Sequence, residues 1–265
     1  MKAQHRPTIA GTGIPAVLSL VLLALIPASV AAQQDDGPQR RSPRVEFERF
    51  AVGVRLGYQI TAQITEGRDE QTSTSTNPPT RFTATSEPQQ DNWGIGAGVQ
   101  VNLLPRWGVT ADLISHSIRF KTGTRIERTQ TATRGPQLLS NEFVVTEANH
   151  WDIPVTVRYY LNGPRQRARP FFSGGVGMRL VRNAQARREI GSLDGGEPQI
   201  VDITPDVAND RTMGLVGGIG FELIDDVNLK LSVEGRYMRW QQKTFEIGLA
   251  NTLRNHVEIF VGLSF

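Results

Sequence analysis

Eight segments of period-two apolar alternation, joined by connections that alternate between short and long, predict an all-β fold: an eight-stranded antiparallel up-and-down transmembrane β-barrel. An apolar leader at the N-terminus places that barrel outside the cytoplasm. The clearest segment runs from Phe50 to Ile60. Phe50, Val52, Val54, Leu56, Tyr58 and Ile60 alternate with Ala51, Gly53, Arg55, Gly57 and Gln59, so an extended chain here has one large apolar face and one small or polar face. The split recurs from Trp93 to Leu103 and Trp107 to Leu113, then from Trp151 to Leu161 and Phe172 to Leu180. Met213 to Leu223, Leu229 to Tyr237 and Val257 to Phe265 complete the set.

The connections set the topology. Leu104-Pro105-Arg106 joins the second and third segments, Asn162 to Arg169 the fourth and fifth, and Ile224 to Asn228 the sixth and seventh. The other four are longer: Thr65 to Gln90, Lys121 to Thr146, Arg182 to Arg211 and Gln241 to Thr252. Short turns at one end and long loops at the other are the arrangement of an outer-membrane barrel with its turns in the periplasm. Two of the loops read as hairpins that continue past the membrane. One has Thr-rich sequence on both sides of Asn77-Pro78-Pro79, and the other has Ile126 to Thr133 and Phe143-Val144-Val145 flanking a turn near Arg134-Gly135-Pro136.

Lys2 and Arg6 precede an apolar stretch from Ile14 to Ile26, which Pro27 ends and small residues up to Ala32 follow. This reads as a secretory signal peptide, residues 1–32, and is too short for the roughly 20 residues of a spanning helix. Residues 33–48 are a polar, Pro- and Gly-containing periplasmic lead-in, and 49–265 form the barrel. A length of 265 residues suits one sizeable domain, and the absence of Cys excludes a disulfide framework and thiolate metal ligands. The formal charge of +3 owes two of its units to the leader, so it is no argument for nucleic acid.

Alternation alone does not say which face points outward. A soluble eight-stranded ligand barrel of the lipocalin kind turns its apolar face inward; a membrane barrel shows it to lipid. The small face carries many glycines, which suit a cramped interior. It also carries five basic residues, Arg55, Arg158, Arg179, Lys230 and Arg236, and five acidic ones, Asp112, Asp152, Glu222, Glu234 and Glu258. Balanced charge of this kind suits mutual neutralisation in an enclosed lumen. Across the Asn162 to Arg169 turn, Asp152 and Arg179 fall about equally far from the centre, which predicts an interior ion pair. Glu222 and Lys230 are expected to pair likewise across Asp225-Asp226. Aromatic residues of the apolar face gather near strand ends: Phe50, Trp107, Tyr159, Phe172, Phe221 and Phe265 at one membrane interface, and Tyr58, Trp93, Trp151 and Tyr237 at the other.

Three stretches resemble the OmpA/OmpX-like outer-membrane β-barrel family. They are Trp151-Asp152-Ile153-Pro154-Val155 leading to Tyr159-Tyr160, Arg169-Pro170-Phe171-Phe172 followed by Gly174-Gly175-Val176-Gly177, and the alternating Val257 to Phe265. The resemblance implies insertion in the cell outer membrane after export through the periplasm. It also implies that Phe265 is an assembly signal read by the barrel-assembly machinery. Pro154 cannot donate to a ladder, so a bulge is expected there.

Chemistry is sparse. His116, His150 and His256 lie on different strands, and Ser115-His116-Ser117 lacks the placed base and acid of a lipid hydrolase, so no catalytic residue, cofactor or metal site is expected. Asp194, Glu197, Asp202, Asp206 and Asp210 do not match an EF-hand spacing and read as a solvated acidic loop. Arg119, Lys121, Arg125, Arg128 and Arg134 offer cationic forks to lipopolysaccharide phosphates, or form an ordinary solvated loop. The expected role is structural or surface interaction by a barrel whose lumen is filled with charged side chains. Its partners would be outer-membrane lipid and lipopolysaccharide, with the surface partner unspecified. A narrow diffusion channel is the alternative, and a lipid-modifying barrel enzyme a third reading. Deleting Phe265 is expected to reduce folded barrel in the outer membrane severalfold while export continues, as read by heat-modifiable gel mobility of membrane fractions; undiminished insertion would remove its role as a signal.

Overall fold

The computed structural model describes residues 49–89, 91–129, 136–164, 166–192, 196–225 and 229–265. The expected signal peptide and lead-in, together with Arg134, Asp194 and Asp226, lie outside them. The described residues form thirteen strands, in order: β1 (Phe50–Gln59), β2 (Gly67–Ser73), β3 (Thr80–Pro88), β4 (Trp93–Leu104), β5 (Trp107–Arg128), β6 (Gln137–Tyr160), β7 (Ala168–Ile190), β8 (Gln199–Ile203), β9 (Arg211–Ile224), β10 (Lys230–Trp240), β11 (Glu246–Ile247), β12 (Ala250–Asn251) and β13 (Asn255–Ser264). Eight of them close a ring in which every neighbour is antiparallel: β1, β4, β5, β6, β7, β9, β10 and β13, with β13 returning to β1. They are the eight segments that the alternation marks. Backbone bonds of 3.0 Å in both directions between Val52 and Phe265 extend the closing seam by one residue.

Side-chain exposure settles which face is which. Val54, Ile95 and Leu215 are each more than 60% exposed, whereas Arg55, Asp112, Arg158 and Arg236 are 3% or less. The apolar face is the outer one, so the fold is a membrane barrel and not a soluble ligand barrel. Tyr58 packs on Trp93 and Trp107 on Tyr159, each pair with ring centroids 4.9 Å apart, at opposite ends of the apolar belt.

Three strands are far longer than a membrane requires. β5, β6 and β7 have 22, 24 and 23 residues, against the roughly 9–11 that cross a bilayer. The stretch from Lys121 to Thr146, expected as a loop carrying a hairpin, is mostly the continuation of β5 and β6. β3 pairs with the distal half of β5, above the part paired with β4, and β8 pairs with the distal end of β7, above β9. The order β2-β3-β5-β6-β7-β8 is therefore a six-stranded sheet rising from one side of the barrel.

The binary pattern inverts where the strands leave the belt. On β5 the outward residues change from Trp107, Val109 and Leu113 to Ser115, Ser117 and Arg119, and the inward ones from Asp112 to Ile118 and Phe120. Ile118 and Phe120 join Ile64, Ala148, Val181, Phe245 and Ala250 in a buried apolar cluster. Phe120 and Phe245 meet edge to face at 5.4 Å, and a bridge between Ile64 and Thr252 ties two connecting segments together above the lumen. Water replaces lipid outside and the ordinary core rule returns inside.

Pro154 causes no bulge. Ala111 opposes Val155 and Ile114 opposes Asp152 in one unbroken register, with the ladder interrupted between them, and Pro154 faces Gly177 regularly on β7. The missing N–H removes a bond without adding a residue. The register shifts fall elsewhere, at Asn102/Leu104, Ile126/Glu127 and Glu147/Asn149.

Because the chain has no Cys, single cysteines report topology cleanly. Ser75→Cys, in the exposed turn between β2 and β3, is expected to react with a membrane-impermeant maleimide on intact cells, and Arg106→Cys only after the outer membrane is permeabilised. The reverse pattern would invert the orientation.

Candidate functional site

The lumen is built in layers from inward residues of facing strands. Nearest the short turns, Arg169 on β7 opposes Glu222 on β9, and its Nη1 donates to Glu222 Oε1 at 3.3 Å. Tyr160 Oη donates to Glu222 Oε2 at 3.0 Å and accepts from Gln100 Nε2 at 2.9 Å. The Arg169 guanidinium lies 3.8 Å from the Tyr160 ring centroid.

The middle layer is a continuous ion chain. Arg55 Nε donates to Asp112 Oδ1 at 3.1 Å, and Arg236 Nη2 to Asp112 Oδ2 at 2.9 Å. Arg236 also meets Glu234, which takes Arg158 Nη2 at 2.6 Å and Ser173 Oγ at 2.7 Å. β10 and β5 are four strands apart in either direction round the ring, so the contact between Arg236 and Asp112 spans the lumen. Glycines make the room. A Cβ on Gly262 would stand 2.0 Å from Arg55 Nη1, and one on Gly98 would stand 2.3 Å from Asp112 Oδ1. Arg158 and Arg236 also lie over the rings of Phe171 and Phe260, at 4.4 and 4.3 Å.

Above it, Arg179 and Asp152 are directly opposed and joined by two bonds, Nε to Oδ1 at 2.7 Å and Nη2 to Oδ2 at 2.8 Å. The Arg179 guanidinium sits 4.4 Å from the Trp240 ring centroid. Glu222 and Lys230 are not opposed in this way: Glu222 faces Ser232 and Lys230 faces Ile224, one diagonal step apart. The register of β9 on β10 is centred one residue later than the one that would oppose Glu222 to Lys230. Phe265 lies on the outer face, 73% exposed, beside the seam it extends.

The histidines are not scattered. His116 opposes His150 across β5 and β6, with the rings stacked at 5.1 Å. His116 Nε2 lies 3.4 Å from Glu258 Oε1, and His150 Nε2 lies 3.5 Å from Asp152 Oδ2. His256 Nε2 lies 2.7 Å from the Leu253 carbonyl. His116, His150 and Asp152 each offer one ligand atom within 4.8 Å of the others. All three histidines share the inward parity of the charged residues, a signal present in the sequence. Their mutual register was not, because the connection between β5 and β6 is long. Tyr160, Phe171, Trp240 and Phe260 carry the same inward parity and were equally open to being read as platforms for arginine.

A family model described as the outer membrane protein beta-barrel domain matches residues 31–239. The chain belongs to this family. It is therefore a protein of the cell outer membrane, with its apolar belt in lipid. Solved structures similar to it include the following two. Neisserial surface protein A shares 10% identity over 82% of this chain and 96% of its own, with a TM-score of 0.36. Ail, the attachment invasion locus protein of Yersinia pestis, in complex with the heparin analogue sucrose octasulfate, shares 10% over 82% of this chain and 100% of its own, with a TM-score of 0.34. No curated protein matches the chain.

Removing one partner of a buried, doubly bonded pair leaves the other charge uncompensated, at about 3–5 kcal/mol. Asp152→Ala and Arg179→Ala are each expected to destabilise the barrel on that scale, and the double variant by clearly less than their sum. Urea unfolding in detergent micelles measures the cycle; additive losses would mean the two side chains do not interact.

Proposed function

We propose that this family member is a surface-interaction barrel whose lumen is closed and whose rising six-stranded sheet is its working part. The observation that carries the reading is the contact between Arg236 and Asp112 across the full width of the ring. An eight-stranded barrel has an interior only about wide enough for side chains, and here opposite walls touch. The apolar cluster over the upper mouth supports the same reading. A lumen so occupied leaves a diffusion channel without a path.

Material put into β5, β6 and β7 beyond the belt contributes nothing to crossing the membrane, so its use lies outside. Both faces carry paired charge there, with Arg119 on Glu147 at 3.0 Å on the outward face and Arg188 on Glu142 at 2.9 Å on the opposite one. The free edges of the sheet, β2 and β8, carry Arg68, Asp69, Glu70 and Asp202, which discourages indiscriminate strand addition. Its partners are outer-membrane lipid around the belt, lipopolysaccharide phosphate near Arg119 and Lys121 just above it, and the barrel-assembly machinery during insertion. A lipid hydrolase is disfavoured by strand geometry. Ser115 and Ser117 point outward while His116 points inward, so neighbours in sequence lie on opposite faces.

Purified barrel in planar bilayers is expected to give no stepwise conductance. Replacing residues 66–88 by a short Gly-Ser linker is expected to leave heat-modifiable folding intact while cutting adhesion of displaying cells to immobilised glycan and matrix-protein panels severalfold. Open channels, or adhesion that survives the replacement, would overturn the reading.

A further inference from the structure

The layer beneath the apolar cluster holds more unmet polar valence than a folded interior tolerates. None of the four ring nitrogens of His116 and His150 completes a hydrogen bond, and neither oxygen of Glu258 does. All three side chains are fully buried. Each such orphan carries an uncompensated desolvation cost, so a cluster of them on facing strands calls for a bound group that meets several together. The charge balance points the same way. Asp152 is engaged by Arg179 through two bonds, which leaves the Glu258 carboxylate facing an imidazole 3.4 Å away and the neutral Gln59 opposite it on β1, with no guanidinium bonded to it.

We propose that this layer binds one divalent transition-metal ion of the Zn²⁺ type, held by His116 from β5, His150 and Asp152 from β6, and Glu258 from β13. With bonds of about 2.0–2.1 Å, neighbouring donors on a tetrahedral ion stand roughly 3.3 Å apart. The 3.4 Å between His116 and Glu258 and the 3.5 Å between His150 and Asp152 are two edges of that size. The remaining separations within His116, His150 and Asp152 reach at most 4.8 Å; Glu258 stands outside that group and meets it through His116 alone, so the ion would draw the four donors together. Two imidazoles and two carboxylates, in a chain without thiols, suit Zn²⁺, Cu²⁺ or Ni²⁺ over Ca²⁺ or Mg²⁺. Arg179 then serves as the outer partner that orients Asp152. Gly94 is part of the site, because a Cβ there would lie 2.2 Å from His116 Cε1 and push the ring away.

Four protein ligands leave no open position, so the ion would be structural. It would link β5 and β6 to β13, three strands round the ring from β5 and one of the two strands of the closing seam. The apolar cluster above would shield it from exchange.

The test uses the full barrel refolded in detergent with Zn²⁺, with Co²⁺, or with EDTA, then dialysed. One metal per chain by mass spectrometry is expected, with tetrahedral visible absorption for the Co²⁺ form and a higher unfolding midpoint than the EDTA form. His116→Gln and His150→Gln, which keep side-chain size and polarity, are expected to weaken binding roughly 100-fold or more, beyond the loss of an outer hydrogen-bond partner. His256→Gln, whose ring nitrogen already meets a carbonyl, is the control and is expected to keep the metal. Gel mobility confirms that each variant is folded. Substoichiometric metal in folded wild-type barrel, or binding unaffected by both His→Gln variants, would overturn the proposal and leave a proton shared between His116 and Glu258 as the occupant.

Discussion

The ion chain across the middle of the lumen is the constraint from which most of the architecture follows. Lipid outside forces every polar residue of the belt strands onto the inward parity, and eight strands enclose too little space for those residues to stay hydrated. Arg55, Asp112, Arg236, Glu234 and Arg158 therefore have to neutralise one another, and the distances of 2.6–3.1 Å between successive groups show that they do. Long guanidinium side chains reaching across a narrow ring need empty wall opposite them. Glycine at positions 98 and 262 supplies it, so the small residues of the strands and the charges between them are one design.

The same lipid boundary explains why β5, β6 and β7 change character midway without changing register. Parity is fixed by the pleat, so the inward set remains inward from Asp112 to Phe120 while its chemistry passes from charged to apolar. Inside the membrane zone the barrel is an inverted protein, apolar out and polar in. Above it the exterior is water, and an apolar interior becomes favourable again. The crossover, between Leu113 and Ser117 on β5 and between Trp151 and Asn149 on β6, marks the upper edge of the belt more sharply than the aromatic residues alone do.

What was legible in the sequence divides along this line. Parity could be read strand by strand, which is why the eight barrel strands and the charged inward face were all visible. Register could be read only where a turn pins it. The turn after Tyr160 pins Asp152 to Arg179, whereas a shift of one residue in the centre of the next short turn moves Lys230 from Glu222 to Ile224. Between β5 and β6 nothing in the composition fixes the pairing, so the meeting of His116 with His150 was out of reach although both share the parity of the charged inward residues. The apolar cluster escaped for a different reason: Ile64, Phe245 and Ala250 come from connecting segments with no period, and only the folded ring brings them over its mouth.

The histidine layer lies where the inversion occurs, below Ile118 and Ala148 and above the ion chain, and that position accounts for its chemistry. Lower down, arginines are long enough to find carboxylates across the ring; higher up, no polar group has to be accommodated. At the crossover the one guanidinium, Arg179, is already held by Asp152, and an imidazole is too short to reach across a lumen as a guanidinium can. Its unmet nitrogens are thus a consequence of being polar at a level where the arginine is already paired and the apolar core begins just above. Any group that satisfies them acts at the junction between the membrane barrel and the sheet above it, which is where stiffness is needed if contacts made by that sheet are to be held by the barrel below.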